Sequence, residues 1–219
     1  MSGKICAIVG AGEQKNNLKL LEKCDIVIAS DGGYRYLNKI NLNPTLLVGD
    51  LDSCDFQPQN CMVKKLKVEK DETDTFVCIQ EGINLGATDF LLLACTGGRF
   101  DHTLANFQSL IYLARRDFNG FFFDGEQVIT VISEKMSVKF TEEAKGTISV
   151  FASEKTANGV NILGLKYELN GGTLSSDFPL GVSNSFIGKE SEISVSNGYL
   201  TIVFPTLCFK ENLISIIKK

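Results

Sequence analysis

The chain has 219 residues, of which 44% are hydrophobic and 22% charged, as is typical of a soluble globular protein with one large domain or two small ones. The formal net charge of −4 argues against the basic surface that nucleic-acid binding needs. No apolar run approaches the roughly 20 residues that cross a bilayer, and the apolar segment 5–11 ends too early for a signal peptide, so we expect a cytoplasmic protein with no membrane partner.

The first half of the chain alternates between strand and helix patterns. Strand patterns occupy residues 4–9, 25–29, 46–48, 62–66 and 91–94, and helical patterns occur around 14–23, 34–37, 76–83 and 104–111. This alternation predicts a parallel sheet covered by helices, in a Rossmann-like α/β domain that spans residues 1–125. Ligands of such sheets bind beyond the carboxyl ends of the strands, where this sequence repeatedly places Asp and Gly.

The loop after the first strand pattern reads Gly-Ala-Gly-Glu at residues 10–13. It is not a complete GxGxxG motif, because position 15 is a lysine, and no GxxxxGK[ST] occurs in the chain. Neither the standard dinucleotide-binding fingerprint nor a P-loop is therefore available.

Two carboxylates follow the third strand pattern. Asp50 and Asp52 are two residues apart in extended chain, so both side chains can point to one face and converge on a cation. Hard oxygen donors suit Mg²⁺, which completes its shell with water and phosphate oxygens. The alternative is a polar turn at a strand end. We favour the metal site, because two like charges held together are costly without a cation.

Two further acidic loops have simpler interpretations when each is taken alone. Asp71 and Asp74 resemble a capping box with Asp71 as the helix N-cap, and Asp31 before Gly32 and Gly33 is a common turn. Position strengthens the functional interpretation of Asp71 and Asp74, because their loop lies at the same predicted edge of the sheet as the others.

The central motif is the turn Thr-Gly-Gly-Arg-Phe-Asp-His, which starts at residue 96 between a buried strand and an amphipathic helix. Gly97 and Gly98 let backbone N–H groups approach a phosphate, and the helix start adds free donors and the positive end of its dipole. Arg99 supplies a cation and Asp101 a carboxylate, which together suggest a metal-nucleotide site. The alternative is a tight turn with Arg99 on the surface, Asp101 as a helix cap and His102 as a polar first-turn residue.

Beyond residue 125, short β-rich runs replace the helical spacing. They occupy residues 128–132, 137–141, 147–152, 167–169, 192–195 and 200–204, separated by turn signals at 158–159, 170–172 and 197–198. This pattern predicts a C-terminal β-sandwich domain over residues 126–219. Residues 211–219 fit either a last strand or a brief helix.

The cysteines point to a reduced interior. The seven cysteines form no CxxC pair, and the chain has a single histidine, which argues against a Cys/His zinc site. Most of the cysteines lie in apolar runs, so we expect reduced core residues.

The ordered set of motifs resembles the bacterial thiamine pyrophosphokinase (thiamine diphosphokinase) family. The resemblance is carried by SDGG (30–33), GDLDS (49–53), DETD (71–74) and TGGRFDH (96–102), and by LKY (165–167) and LGVSN (180–184) in the β-rich half. It implies an ATP-binding catalytic α/β domain, a thiamine-binding β-sandwich domain and a homodimer with active sites between subunits. It also implies transfer of the diphosphoryl group of ATP to the thiamine hydroxyl, with release of AMP and with Mg²⁺ as cofactor.

The resemblance also implies roles for individual residues. Asp50, Asp52, Asp74 and Asp101 would ligate Mg²⁺ and act in catalysis together with Arg99. The ATP side would comprise Asp31, Gly32, Gly33, Asp71, Thr73, Gly97, Gly98, Arg99 and His102, and the thiamine side Ser183 and Asn184. Asp101 could ligate metal or accept the thiamine hydroxyl proton, and a loose transition state, which needs little from a base, favours the metal or a positioning role.

Two other functions stay open from the sequence. One is a Mg²⁺-dependent phosphohydrolase with water as acceptor, and the other is a non-catalytic nucleotide or thiamine sensor of the same fold. The set of acidic loops and Arg99 argue against the sensor, because binding alone does not require so many converging carboxylates.

Overall fold

The computed structural model describes residues 3–15, 18–50, 61–67, 69 and 71–218. The chain divides into two compact units. The α/β unit comprises residues 2–109 with Phe122–Gly125, and the β unit comprises Leu110–Phe121 with residues 126–219.

The α/β unit is built on parallel strands. Its strands are β1 (Lys4–Val9), β2 (Ile26–Ser30), β3 (Leu46–Gly49), β4 (Met62–Lys65) and β5 (Ala87–Leu93), and its helices are α1 (Tyr34–Lys39) and α2 (Asp74–Asn84). Helix α3 (Phe100–Ala114) begins in this unit, and strand β6 (Asn119–Asp124) ends in it.

The strand order in the sheet of this unit is β5-β1-β2-β3-β4, and all these neighbours pair in parallel. Strand β2 is buried at all five positions, which explains its unbroken apolar sequence, because helices cover both faces of such a sheet. The predicted parallel α/β architecture is confirmed.

Two predicted helical patterns differ from the structure. Within the pattern around 14–23, the described residues Leu18–Lys23 form a 3₁₀ turn, which buries the adjacent residues Leu20 and Leu21 rather than a helical stripe. In α3, the predicted apolar face includes Leu104, whose exposed fraction is 52%, whereas Leu110 is buried.

None of the helices in the described part of the chain combines the length and the apolar character that crossing a bilayer requires.

The β unit contains two antiparallel sheets. Its strands are β7 (Gln127–Ser133), β8 (Met136–Phe140), β9 (Thr147–Ala152), β10 (Thr156–Leu163), β11 (Leu169–Ser175), β12 (Asn184–Ser185), β13 (Ser191–Ser194), β14 (Tyr199–Pro205) and β15 (Ile214–Lys218). One sheet has the order β12-β9-β14-β7 and the other β11-β10-β13-β8-β15. A short helix, α4 (Thr206–Lys210), precedes β15. Of the two alternatives for the C-terminal segment, the strand is therefore the one that Ile214–Lys218 form.

Aromatic residues join the two sheets of the β unit. Phe140 of β8 packs edge to face on Phe204 of β14, with ring centroids 5.3 Å apart, and on Phe186 at 5.0 Å. Contacts of this kind between sheets define a sandwich core. The predicted β-sandwich is confirmed.

Two predicted turns of the β unit lie inside strands. Gly159 is part of β10 and Gly171 part of β11, and the pairing of these strands shifts register at residues 158–160. Gly159 has φ 64°, which glycine adopts without strain, so the turn signal marks a β-bulge rather than a chain reversal.

Candidate active site

A cavity of about 500 Å³ opens at the carboxyl ends of the parallel strands in the α/β unit. It is lined by residues 10–12 after β1, by Ser30 and Asp31 at the end of β2, by Asp74 and Thr75 of α2, by residues 94–99 after β5, and by His102, Thr103 and Asn106 of α3. This is the edge at which the sequence predicts ligand binding.

The loop after β1 pairs with the turn after β5. The N–H of Gly12 donates to the carbonyl of Ala94 at 2.8 Å, and the N–H of Glu13 donates to the carbonyl of Thr96 at 2.7 Å. A Cβ on Gly12 would lie 2.2 Å from the Thr96 carbonyl oxygen. Glycine is therefore needed here so that the two loops can approach each other, which accounts for a Gly-Ala-Gly sequence without the rest of the dinucleotide motif.

Asp31 lies where three strand ends meet. It begins a 3₁₀ turn, Asp31–Gly33, directly after β2, with φ 43°. Gly33 packs so closely on β1 that a Cβ there would lie 2.0 Å from the carbonyl oxygen of Val9. A Cβ on Gly49 at the end of β3 would lie 2.8 Å from that of Asp31. This packing buries the Oδ1 atom of Asp31 at the cavity.

Asp74 is the first residue of α2. Thr73 is the N-cap of this helix, because its Oγ1 accepts from the N–H of Phe76 at 3.2 Å and its backbone is extended. The alternative interpretation of Asp71 as the N-cap is therefore wrong. Asp74 lines the cavity with a buried Oδ1, whereas Asp71 is exposed and lies outside the lining.

The carboxylates at this edge have the donor chemistry that Mg²⁺ prefers. Asp31 and Asp74 each place a buried oxygen at the cavity, and Asp50 is half-buried immediately after β3. Asp52 lies outside the described residues. Over residues 3–15, 18–50, 61–67, 69 and 71–218, three or more His, Cys, Asp or Glu side chains do not gather as a metal site. The carboxylates of Asp31, Asp50 and Asp74 thus have the donor chemistry that suits Mg²⁺, and they would supply part of its ligands.

Arg99 and Asp101 form a bidentate ion pair at the start of α3. Nη2 of Arg99 donates to Oδ2 of Asp101 at 2.6 Å, and Nε donates to Oδ1 at 3.2 Å. Both side chains are exposed. Arg99 lines the cavity together with Gly97, Gly98 and His102, and Asp101 lies outside the lining. Asp101 also accepts from the N–H of His102 at 2.9 Å, so it stabilises the first turn of the helix.

The ion pair with Arg99 should affect the titration of Asp101. The hydrogen bond from Arg99 lowers the pKa of Asp101 below its usual value, so the pair forms fully above that usual range and is lost as the pH falls through the lowered pKa. In Arg99→Met the pKa of Asp101 should rise towards the ordinary value. Carbon-detected NMR titration of the Asp101 carboxyl measures this, with Lys64→Met, which breaks a 2.6 Å pair with Glu81, as control. An unchanged Asp101 pKa would mean that Arg99 does not hold the carboxylate in solution.

The predicted thiamine-side residues lie in the β unit. The buried Asn184 accepts from the N–H of Tyr167 at 3.0 Å and donates to the Tyr167 carbonyl at 2.6 Å, so it ties together the two segments of the resemblance, 165–167 and 180–184. Ser183 is exposed with φ 60°, and its N–H donates to Oγ of Ser149 at 3.0 Å. A cavity of about 170 Å³ beside them is lined by Tyr167, Glu168, Asn184, Gly181 and several aliphatic side chains.

Sequence reasoning missed several residues that support the large cavity. The hydroxyl of Tyr36 donates to the carbonyl of Gly12 at 2.5 Å, and Arg35 donates to that of Ala11 at 2.8 Å. Asp124 at the end of β6 accepts hydrogen bonds from the hydroxyl of Thr96 and from the ammonium group of Lys15. No local pattern identifies these residues, because their partners are brought together only by the fold.

Comparisons with known proteins agree with the architecture. A family model described as thiamin pyrophosphokinase, catalytic domain, matches residues 18–122, and a model described as thiamin pyrophosphokinase, vitamin B1 binding domain, matches residues 135–200. A thiamine pyrophosphokinase of Bacillus subtilis (strain 168) is 24% identical over 185 residues, which cover 82% of this chain and 86% of that protein.

Solved structures are similar over most of their length. The crystal structure of thiamine pyrophosphokinase from Bacillus subtilis matches with a TM-score of 0.81 at 24% identity, covering 92% of this chain and 99% of its own. That of thiamin pyrophosphokinase from Geobacillus thermodenitrificans matches with a TM-score of 0.79 at 25% identity, covering 92% of this chain and 97% of its own. The combination of a parallel α/β unit and a β-sandwich unit in one chain is thus shared with these proteins.

Proposed function

The chain belongs to the thiamine pyrophosphokinase family, and from this premise we propose that it transfers the diphosphoryl group of ATP to the hydroxyl of thiamine, giving thiamine diphosphate and AMP. One observation carries the proposal to this chain's own residues. A single cavity is lined by two carboxylates with buried oxygens, Asp31 and Asp74, and by the cation Arg99 beside the turn at Gly97 and Gly98. Acidic and basic groups on one cavity suit a polyphosphate bound together with a cation.

The α/β domain, residues 1–125, binds ATP in this proposal. Arg99 and the N–H groups of Gly97 and Gly98 hold phosphate oxygens. His102 and the segment Asp31–Gly33 complete the nucleotide side. Thr73 acts indirectly, because its cap fixes the first turn of α2 and thereby Asp74. Asp71 belongs to the ATP side in this proposal as an exposed residue of the loop that leads into α2.

Asp50, Asp52 and Asp74 would hold Mg²⁺. Bound there, the ion would neutralise charge on the phosphates during displacement at the β-phosphorus. The ion pair of Asp101 with Arg99 favours a role in orienting the arginine over direct metal ligation, although the same carboxylate can become a ligand when Arg99 turns to phosphate. Little is required of a base, since the transition state of such transfers is loose.

The β-sandwich domain, residues 126–219, binds thiamine in this proposal. Ser183 contacts the substrate in this proposal, and Asn184 holds the segment around Tyr167 in position through its two hydrogen bonds. The permanent positive charge of thiamine is compatible with a reaction site rich in carboxylates. We further propose a homodimer with shared active sites and a cytoplasmic location.

The test is a product assay with ATP, Mg²⁺ and thiamine that separates AMP from ADP. We expect AMP and thiamine diphosphate in equal amounts, and neither product when thiamine is omitted. ADP with thiamine monophosphate would indicate attack at the γ-phosphorus. ATP breakdown independent of thiamine would indicate a phosphohydrolase, and ATP binding without turnover would indicate a sensor.

A further inference from the structure

A carboxylate outside the family motifs joins three loops of the α/β unit. Oδ1 of Asp124 accepts from Oγ1 of Thr96 at 2.7 Å and from Nζ of Lys15 at 2.6 Å. Thr96 follows β5, Lys15 follows β1, and Asp124 ends β6. One oxygen atom therefore connects the loops that follow β1 and β5 to the end of β6 at the ligand-binding edge of the sheet.

Thr96 is restrained through its backbone as well as its side chain. Its carbonyl accepts from the N–H of Glu13 at 2.7 Å, and its hydroxyl donates to Asp124. Thr96 is only 8% exposed and lines the cavity of about 500 Å³ at the carboxyl ends of the parallel strands. Because Thr96 directly precedes Gly97 and Gly98, fixing it fixes the start of the turn that carries the phosphate-binding amides.

The turn needs such a restraint. Gly97 has φ 70° and Gly98 has φ 122°, and glycine backbone has more conformations available than any other residue. Amides that bind a phosphate are effective when they are already oriented before the ligand arrives. The two glycines supply the required shape, and the neighbouring contacts supply its rigidity.

The charges at this contact fit a positioning role better than a stabilising one. Partial burial alone would raise the pKa of Asp124, but the hydrogen bonds from Lys15 and Thr96 outweigh it and lower the pKa, so the carboxylate is ionised. The side chains of Lys15 and Asp124 are 40% and 39% exposed. An ion pair this exposed adds little to the free energy of unfolding, so its main effect is on local geometry.

We propose that Asp124, held by Lys15, is a positioning residue that orients the Gly97-Gly98 turn for the polyphosphate of ATP by accepting the Thr96 hydroxyl. The inference rests on the proposed function, because it concerns how tightly the same cavity holds ATP. It assigns no contact with the substrate to Asp124 itself.

The experiment compares Thr96→Val with Thr96→Ser in the full-length enzyme. Valine has the shape of threonine without the hydroxyl, and serine keeps the hydroxyl. In Thr96→Val we expect KM for ATP to rise about tenfold, the effect of losing a hydrogen bond at the weak end of the range for a charged acceptor. We expect kcat to fall less than about threefold and KM for thiamine to stay unchanged. Thr96→Ser should retain a KM for ATP close to that of the wild type.

A second pair of variants tests Asp124 directly. Asp124→Ala should raise KM for ATP as much as Thr96→Val does, and the double variant should be no worse than either single one, because both remove the same contact. Asp117→Asn is the control for loss of a paired carboxylate: it removes the charge from a 2.8 Å ion pair with Lys135 in the β unit without straining the positive φ of residue 117, and should leave both KM values unchanged.

The inference is overturned if Thr96→Val keeps the wild-type KM for ATP, if Thr96→Ser is impaired as severely as Thr96→Val, or if the KM values for ATP and thiamine rise together. Additive effects in the double variant would also overturn it. A wild-type enzyme that releases no AMP in the presence of thiamine gives a different result, because it contradicts the proposed function before any variant is compared.

Discussion

Asp74→Asn is expected to lower kcat for thiamine-dependent AMP release by about 10²-fold to 10³-fold, the usual effect of removing one electrostatic group that stabilises a transition state. The change keeps the size of the side chain and the N-terminal position in α2, so the fold should persist. The loss follows from charge, because an amide is a weaker ligand for Mg²⁺ than a carboxylate. Steady-state kinetics over a range of Mg²⁺ concentrations measure it, and the variant should need more Mg²⁺ for half-maximal rate.

The control for this change is Glu72→Gln. Glu72 is an exposed acid in the same loop that accepts from Gln80 at 3.0 Å and lies outside the cavity lining. It should retain wild-type kcat and Mg²⁺ dependence. Equal losses in the two variants would show that the loop acts through its total charge, and full activity in Asp74→Asn would remove this residue from the metal site.

Gly33→Ala is expected to lower the free energy of unfolding by about 1–3 kcal/mol, as inserting a methyl group into a close-packed site commonly does. The new Cβ would lie 2.0 Å from the carbonyl oxygen of Val9 and 2.8 Å from that of Gly10. Both are backbone atoms, so the turn or the end of β1 must move. Urea unfolding measures the loss, and KM for ATP should rise because Asp31 moves with the turn.

Gly32→Ala provides the matched control, because it is the same substitution one residue earlier. A Cβ there meets only the Cβ of Ala11, at 3.3 Å, a contact that a small shift relieves. The free energy of unfolding should stay within about 1 kcal/mol of the wild type. If Gly33→Ala were as stable as Gly32→Ala, the close approach of this turn to β1 would not limit stability.

The architecture follows from patterns that are local in sequence. Strand β2 and the apolar core of β5 are predicted because unbroken apolar runs, bounded by Asp and Gly, suit strands that are covered on both faces. The positions of Asp31 and Asp74 at one cavity follow from the same logic, since each comes directly after or near the carboxyl end of a strand. The sandwich was likewise predictable from short runs with regular spacing.

The errors arise where tertiary packing decides between equivalent local choices. Asp71 and Thr73 are both good N-caps, and the sequence pattern does not reveal that α2 begins at Asp74. The Asn-Gly pair at 158–159 is typical of both a chain reversal and a β-bulge, and only the pairing with the neighbouring strand distinguishes the two. The contact between Lys15 and Asp124 joins positions 109 residues apart, so no window of sequence contains both.

The strand order of the α/β unit has a consequence for how the chain folds during synthesis. Strand β1 lies between β2 and β5, so the first strand made receives its second partner only after roughly 60 more residues have emerged, several seconds at about 5–20 residues per second. During that interval one edge of β1 is without its final neighbour, and pairing between distant segments is slow. The cavity forms later still, because its walls come from the loops after both β1 and β5. A nascent chain therefore cannot retain a ligand in this cavity until most of the α/β unit has left the ribosome.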